Sequence, residues 1–437
     1  MLINTRSVRR LLKNMLDKKI KCSAAKVASN GLCTSCGICA GACHKGSISF
    51  RYGRERDIPV VDSNTCVNCG ICYEVCPGKG LPLKKLSEEL FSYEVNIKED
   101  LCAGYYLQTY IGHSTDENVR YHCATGGMVT QFLIWLLKKG EIDGAVVVRY
   151  KKENPFEPEP FIATTPEEIW ESRSSKYVVL SMDKIAQEIA LGYYKNLVVV
   201  GLPCQIQGWR QLAQRNKRVR EAIKGYFAIY CSINKTKLSM DYYPQRYQMD
   251  MAKIGRFAFR DDGCLGYMKF EDKQGNVMKK IPYKSFWYGT HSFFTNPRCL
   301  MCIDQLGELA DISFGDIHIK PYSDDEIGTN SIISRSAYWD EKLNQCKREN
   351  VISLDIIAIE TLIKSQLYTK KYKKGSGVKA YMNIRRMMGK SIPAYDYQYA
   401  GPVSVKDYLS AMSKMLMYAI GKRSYLWWLI KLLDRTK

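Results

Sequence analysis

Apolar positions along the chain predict helices alternating with buried strands. From Met128 to Lys139 they keep helical spacing, and Gly140 is placed to end that helix before the apolar, strand-like run Gly144 to Tyr150. A second unit runs from Ser181 through a helix to the β-branched strand Asn196 to Val200. It ends in Gly201, Leu202, Pro203 and Cys204, which puts the cysteine on a loop at the strand's C-terminal end. Two further apolar runs, Gly225 to Tyr230 and Ile312 to Ile319, lead into Cys231 and contain Gly315 and Asp316. This alternation predicts an α/β domain, and the strand ends of open α/β sheets commonly carry the ligand site. Near the termini, Val8, Leu11, Leu12 and Leu16 predict one face of a basic N-terminal helix. Val405, Tyr408, Leu409, Met412, Leu416, Ala419 and Ile420 predict another helix close to the C-terminus.

A chain of 437 residues exceeds what one hydrophobic core supports, so two or three domains are expected. No apolar run approaches the roughly 20 residues of a membrane-spanning helix. The basic stretch Met1 to Lys21 is followed by neither a continuous apolar segment nor a small-residue cleavage site, so it does not read as a signal peptide. The expected location is cytoplasmic.

Seventeen cysteines in such a chain point to metal rather than disulfides, and with only five histidines the ligation is expected to be by cysteine alone. Their spacing narrows the choice. Cys33, Cys36, Cys39 and Cys43 follow a Cys-x-x-Cys-x-x-Cys-x-x-x-Cys pattern that Cys66, Cys69, Cys72 and Cys76 repeat, with Pro77 after the second copy. In a two-cluster ferredoxin three thiolates of each run wrap one 4Fe-4S cluster and the fourth crosses to the other. Cys33, Cys36, Cys39 and Cys76 are therefore assigned to one cluster, and Cys66, Cys69, Cys72 and Cys43 to the second. The alternative, a pair of four-cysteine zinc sites, normally uses separated Cys-x-x-Cys knuckles and fits the spacing poorly. His44 stands where the first copy lacks the proline, a turn position rather than a ligand.

Several short motifs then occur in order: His122-Cys123-Ala124-Thr125-Gly126-Gly127, Ser174-Ser175-Lys176-Tyr177, Gly201-Leu202-Pro203-Cys204-Gln205, Arg298-Cys299-Leu300-Met301-Cys302, and Ala310-Asp311-Ile312-Ser313-Phe314-Gly315-Asp316. From about residue 31 to 340 the chain resembles the coenzyme F-420 (deazaflavin) hydrogenase/dehydrogenase beta-subunit family with an N-terminal ferredoxin domain. The resemblance implies a small α+β two-cluster domain at 31–95 and a larger α/β flavin-binding domain at 101–340. They would lie between a basic N-terminal helix at 1–30 and a basic, largely helical region at 341–437. It implies FAD, with Thr125, Gly126, Gly127, Ser174, Ser175, Lys176 and Tyr177 as its binding residues and Lys176 against a phosphate charge. It also implies an iron–sulfur flavoprotein oxidoreductase that acts on a deazaflavin or another small-molecule substrate, with a redox partner protein or a reduced coenzyme as electron source. Some members are encoded beside enzymes of cell-surface polysaccharide synthesis. The alternative is an electron-relay subunit that serves a partner enzyme and has no substrate site of its own.

Four cysteines outside the ferredoxin raise a separate question. Cys204 and Cys231 are expected at strand ends that a parallel sheet would bring together, and Cys299 and Cys302 form a two-ligand knuckle. A third 4Fe-4S cluster is one reading; inert buried thiols and a zinc site are the others.

The chain carries 65 Lys and Arg against 44 Asp and Glu, a net +21, and Lys364 to Lys437 holds 16 of those cations against three aspartates. No nucleic-acid motif accompanies this charge, and no nucleic-acid partner is expected. The preferred reading of the C-terminal helix is one packed on the protein with a solvated basic face. Its Trp427 and Trp428 between basic residues leave peripheral contact with the inner face of a membrane as the alternative.

Overall fold

The computed structural model describes residues 22–290, 292–366, 368–397 and 401–433, so the helix expected around Val8 to Leu16 lies outside the described residues. An eight-stranded mixed sheet forms the centre. In chain order its strands are β1 (Gln108–Ser114), β2 (Gly144–Tyr150), β3 (Pro158–Ala163), β4 (Leu197–Gly201), β5 (Ile223–Ile229), β6 (Ile312–Asp316), β7 (Asn330–Ser334) and β8 (Ile352–Ile356). Across the sheet they run β8-β1-β7-β6-β5-β4-β2-β3. The four strands expected from sequence are its parallel middle, β2 beside β4, β4 beside β5 and β5 beside β6. The other four pair antiparallel at the two edges.

The helix Met128–Lys138 ends before Gly140, which takes the left-handed φ of +67° that glycine adopts without strain. One expectation changes. The helix Pro203–Arg215 starts directly at the end of β4, so Cys204 lies in its first turn and not on a loop. Pro203 pre-sets the backbone angle for a first helical residue, and Gln205 Oε1 accepts from the Leu202 N–H at 2.7 Å, so strand passes into helix with no turn between.

Alternation along the strands sends Val146, Val199, Tyr226 and Ala228 to one face, and Ala145, Val147, Val198 and Phe227 to the other. The second face packs on the helices Met128–Lys138 and Ala337–Arg348. On the first face Ile38, Ile48 and Val75 of the cysteine-rich repeats share a core with Trp209 and with Tyr381, Met382 and Ala411 of the C-terminal helices. The contact is close, because a Cβ on Gly41 would stand 2.4 Å from the Ala186 carbonyl. A third core is aromatic, built by Tyr243, Phe257, Phe259, Phe270 and Phe286 around a three-stranded antiparallel sheet at 254–282 that the sequence reading did not resolve. The final helix, Trp427–Leu433, inserts Trp427 and Ile430 into it.

Candidate functional site

The two cysteine repeats fold alike. Ser35 and Asn68 hold equivalent positions with φ of 64° and 55°, and Gly37 and Gly70 follow with 82° and 77°. These left-handed residues curl each loop, and in the first the Ser35 N–H donates to Cys33 Sγ with nitrogen and sulfur 3.3 Å apart. Cys76 lies near the thiols of the first loop and Cys43 near those of the second. Burial, then Cys76, Cys36, Cys33 and, least, Cys72 of the second loop, raise the Cys39 thiol well above its ordinary pKa. Cys72 is raised by burial and then by Cys43, Cys66 and Cys69. The first set is buried, whereas the second lies nearer solvent with Cys69 exposed.

A third set of thiols converges where the helix after β4 meets the Pro297–Met301 turn. Cys204 is pushed up by burial and then by Cys302, Cys231, Cys36 and Cys299, so Cys36 of the buried ferredoxin set borders this chamber. Among the described residues the sulfurs of no three cysteines lie within 4.8 Å of one another. Four thiolates about 2.3 Å from one zinc would sit about 3.8 Å apart, so none of the three sets has zinc spacing. Two buried cations face the third set. Arg298 donates to the carbonyls of Gly78 (2.8 Å) and Pro77 (3.1 Å), just after Cys76, and to the Tyr395 hydroxyl at 2.7 Å. Lys373 donates to the Cys299 carbonyl at 3.3 Å. None of these acceptors is a carboxylate.

Beside this chamber, at the C-terminal ends of β4, β5 and β6, opens a cavity of about 320 Å³. Thr125, Gly127, Ser174, Ser175, Lys176 and Tyr177 line it. Gly126 does not; it packs toward Gly328 and Asn330 and shapes the turn. Lys176 Nζ donates to the carbonyls of Ser172, Arg173 and Ser174 at 2.5, 2.6 and 3.2 Å. Burial and the neighbouring Arg173 pull it down to about 7. Arg173 lies 4.1 Å over the Trp170 ring, and its buried Nε has no hydrogen-bond partner.

Sequence reasoning missed Arg173, and also Arg260, which reaches the cavity from the three-stranded sheet. Arg260 is buried, grips Asp316 at 2.8 and 3.1 Å and donates to Thr125 Oγ1 at 3.0 Å. Burial, the largest single effect, works against the Asp316 charge, but Arg260, His318 and the Thr125 hydroxyl together hold the carboxyl below its usual range. Tyr283 and Trp287, stacked with ring centroids 5.7 Å apart, supply an aromatic wall. The one available signal was an arginine inside the apolar strand Phe257-Ala258-Phe259-Arg260.

Paired cysteine loops docked on a mixed α/β sheet, with a cavity at the parallel strand ends, define an iron–sulfur electron-transfer protein. Comparison with known proteins gives the same class. A 4Fe-4S dicluster domain matches residues 32–79. The N-terminal part of the coenzyme F420 hydrogenase/dehydrogenase beta subunit matches 109–187, and its C-terminal part matches 194–359. The chain belongs to the coenzyme F420 hydrogenase/dehydrogenase beta-subunit family and carries a dicluster domain ahead of it. Among its relatives is the coenzyme F420-dependent sulfite reductase of Methanocaldococcus jannaschii, 26% identical over 80% of this chain. The chain spans about half of that relative, 51% of its length. The coenzyme F420 hydrogenase subunit beta of Methanothermobacter thermautotrophicus is 27% identical over 56% of this chain and 83% of its own. In fold, the chain is similar to one from the F420-reducing NiFe hydrogenase complex of Methanosarcina barkeri. The TM-score is 0.52 at 22% identity, covering 69% of this chain and all of that one.

Proposed function

We propose that this chain is an iron–sulfur flavoprotein oxidoreductase that passes electrons between its surface and a small substrate or deazaflavin-like coenzyme at the cavity. FAD is its flavin, and a third 4Fe-4S cluster sits on Cys204, Cys231, Cys299 and Cys302. The observation that carries this reading is a shared wall. Leu202, Gln205 and Cys231 to Asn234 line both the four-thiol chamber and the large cavity, and Cys36 lines the chamber from its other side. Bound in these places, clusters would supply one-electron carriers and the flavin would convert between single electrons and hydride pairs.

The chain's own residues suit those groups. Arg298 and Lys373 would be costly to bury against neutral acceptors alone, and a cluster held by four thiolates supplies the missing negative charge. Arg298 also ties the chamber to the loop after Cys76, fixing two thiol sets against each other. At the cavity, Arg173 has an unused buried Nε, Lys176 contributes charge, and the helix from Met128 points its positive end at the same turn. That combination fits a diphosphate. The Arg260–Asp316 pair holds Thr125 in place beside it, and Tyr283 and Trp287 give an apolar wall that excludes water from one side.

The test is anaerobic titration of the purified chain with reduced deazaflavin and with reduced nicotinamide, in the absence of any partner. Bleaching of flavin and cluster absorbance by either donor supports a substrate site in the chain. No bleaching until a partner enzyme is added favours the second reading, a relay subunit. The naming of relatives as subunits of hydrogenases speaks for that second reading.

A further inference from the structure

The helix Val405–Gly421 is apolar on two sides. Its inner side packs Tyr408, Ala411 and Met415 into the core shared with the cysteine repeats, while Met417 and Ile420 join the aromatic core. Its outer side carries Val405, Leu409, Met412 and Leu416, which at steps of four, three and four fall on one stripe, each between 56% and 74% exposed. A surface helix needs one apolar face, and a contiguous second one marks an interaction surface. Trp428 and Leu432 on the following helix are likewise exposed, although their neighbours Trp427 and Ile430 are buried.

The exposed charge around the stripe is predominantly positive. Lys406, Lys422 and Arg423 are exposed and Lys431 is partly so, and of these Lys422 pairs with the half-buried Glu55 at 2.9 Å. The single carboxylate between residues 401 and 433 is Asp407, which is buried and accepts hydrogen bonds from the Ser404 backbone N–H and hydroxyl. Val405, Leu409, Met412 and Leu416 offer no hydrogen-bonding side chain, whereas protein interfaces carry roughly one hydrogen bond per 100–200 Å². Among the described residues no helix is long and apolar enough to cross a membrane, so an in-plane contact is the geometry this stripe allows.

We propose that this stripe, with Trp428 and Leu432, docks the protein on an anionic lipid bilayer, its aliphatic and indole side chains entering the headgroup boundary and its lysines and arginines meeting acidic headgroups.

The test is cosedimentation of the full-length holoprotein with vesicles of phosphatidylcholine alone and of phosphatidylcholine with about one quarter phosphatidylglycerol. The bound fraction is expected to be at least roughly tenfold higher on the acidic vesicles and to fall with added salt. Leu409→Glu/Leu416→Glu should abolish binding with cluster and flavin absorbance unchanged, and Trp428→Ala should weaken it. Equal, weak binding to both vesicles would overturn the proposal, as would a double variant that binds like the parent. So would a wild-type dimer that the double variant converts to monomer, because the stripe would then be a protein interface.

Discussion

Replacing Lys373 with methionine removes a buried positive charge beside the Cys204, Cys231, Cys299 and Cys302 chamber while keeping most of the side chain's volume. Lys373 is 2% exposed and its ammonium lies 3.3 Å from the Cys299 carbonyl. The reduced cluster carries one more negative charge than the oxidised one, so a nearby cation stabilises the reduced state and raises the midpoint potential. A unit charge about 7 Å from the cluster centre, at an effective dielectric of about 20, is worth about 2.4 kcal/mol, or about 100 mV for a one-electron couple. Lys373→Met should therefore lower the potential of one cluster by about that amount, and Lys373→Arg should restore most of it. An anaerobic redox titration followed by electron paramagnetic resonance reads this directly, with iron content measured on the same samples. A potential that stays put or rises, at unchanged iron, would refute the electrostatic role given to Lys373.

Other expectations follow from single contacts. Lys176 is charged below about 7 and neutral above it, so its contribution to holding a diphosphate is lost as pH rises; FAD affinity, read by flavin fluorescence, should weaken about tenfold between pH 6 and 8 and lose that dependence in Lys176→Met. A Cβ on Gly37 would stand 2.4 Å from the Asp183 nitrogen, whereas one on Gly70 meets nothing within 4 Å. Both alanine variants cost about 1–2 kcal/mol for the left-handed backbone, so thermal unfolding should show Gly37→Ala at least about twice as damaging; equal losses would argue against close docking of the first repeat. Asp316→Asn leaves Arg260 buried without its counter-ion and should cost about 3 kcal/mol in urea unfolding together with flavin retention. Asp316→Glu should be milder.

What the sequence made legible was local. The parallel strands β2, β4, β5 and β6 are short apolar runs, and the dicluster loops are fixed spacings, so both are visible without knowing what they pack against. Strand β1 (Gln-Thr-Tyr-Ile-Gly-His-Ser) and the small sheet at 254–282 mix polar and aromatic residues, and only long-range pairing makes them strands. The site divides the same way. Thr125, Gly127 and Ser174 to Tyr177 sit in short motifs and line the cavity. Arg260 acts on Asp316 from 56 residues away and Lys373 on the Cys299 carbonyl from 74, distances over which no periodicity speaks. Cys204 was expected on a loop because the Gly-Leu-Pro sequence reads as a turn, and Pro203 instead serves as a first helical residue.

Iron, sulfide and flavin quantitation on anaerobically purified protein bears most directly on the central claim, that three thiol sets lead into a flavin cavity. Close to 12 iron atoms, at four per cluster, and one FAD per chain are expected, with Cys204→Ser falling to about eight and keeping its flavin. About eight iron atoms in the unaltered chain would contradict the third cluster, and a preparation without flavin would contradict the cavity's assignment.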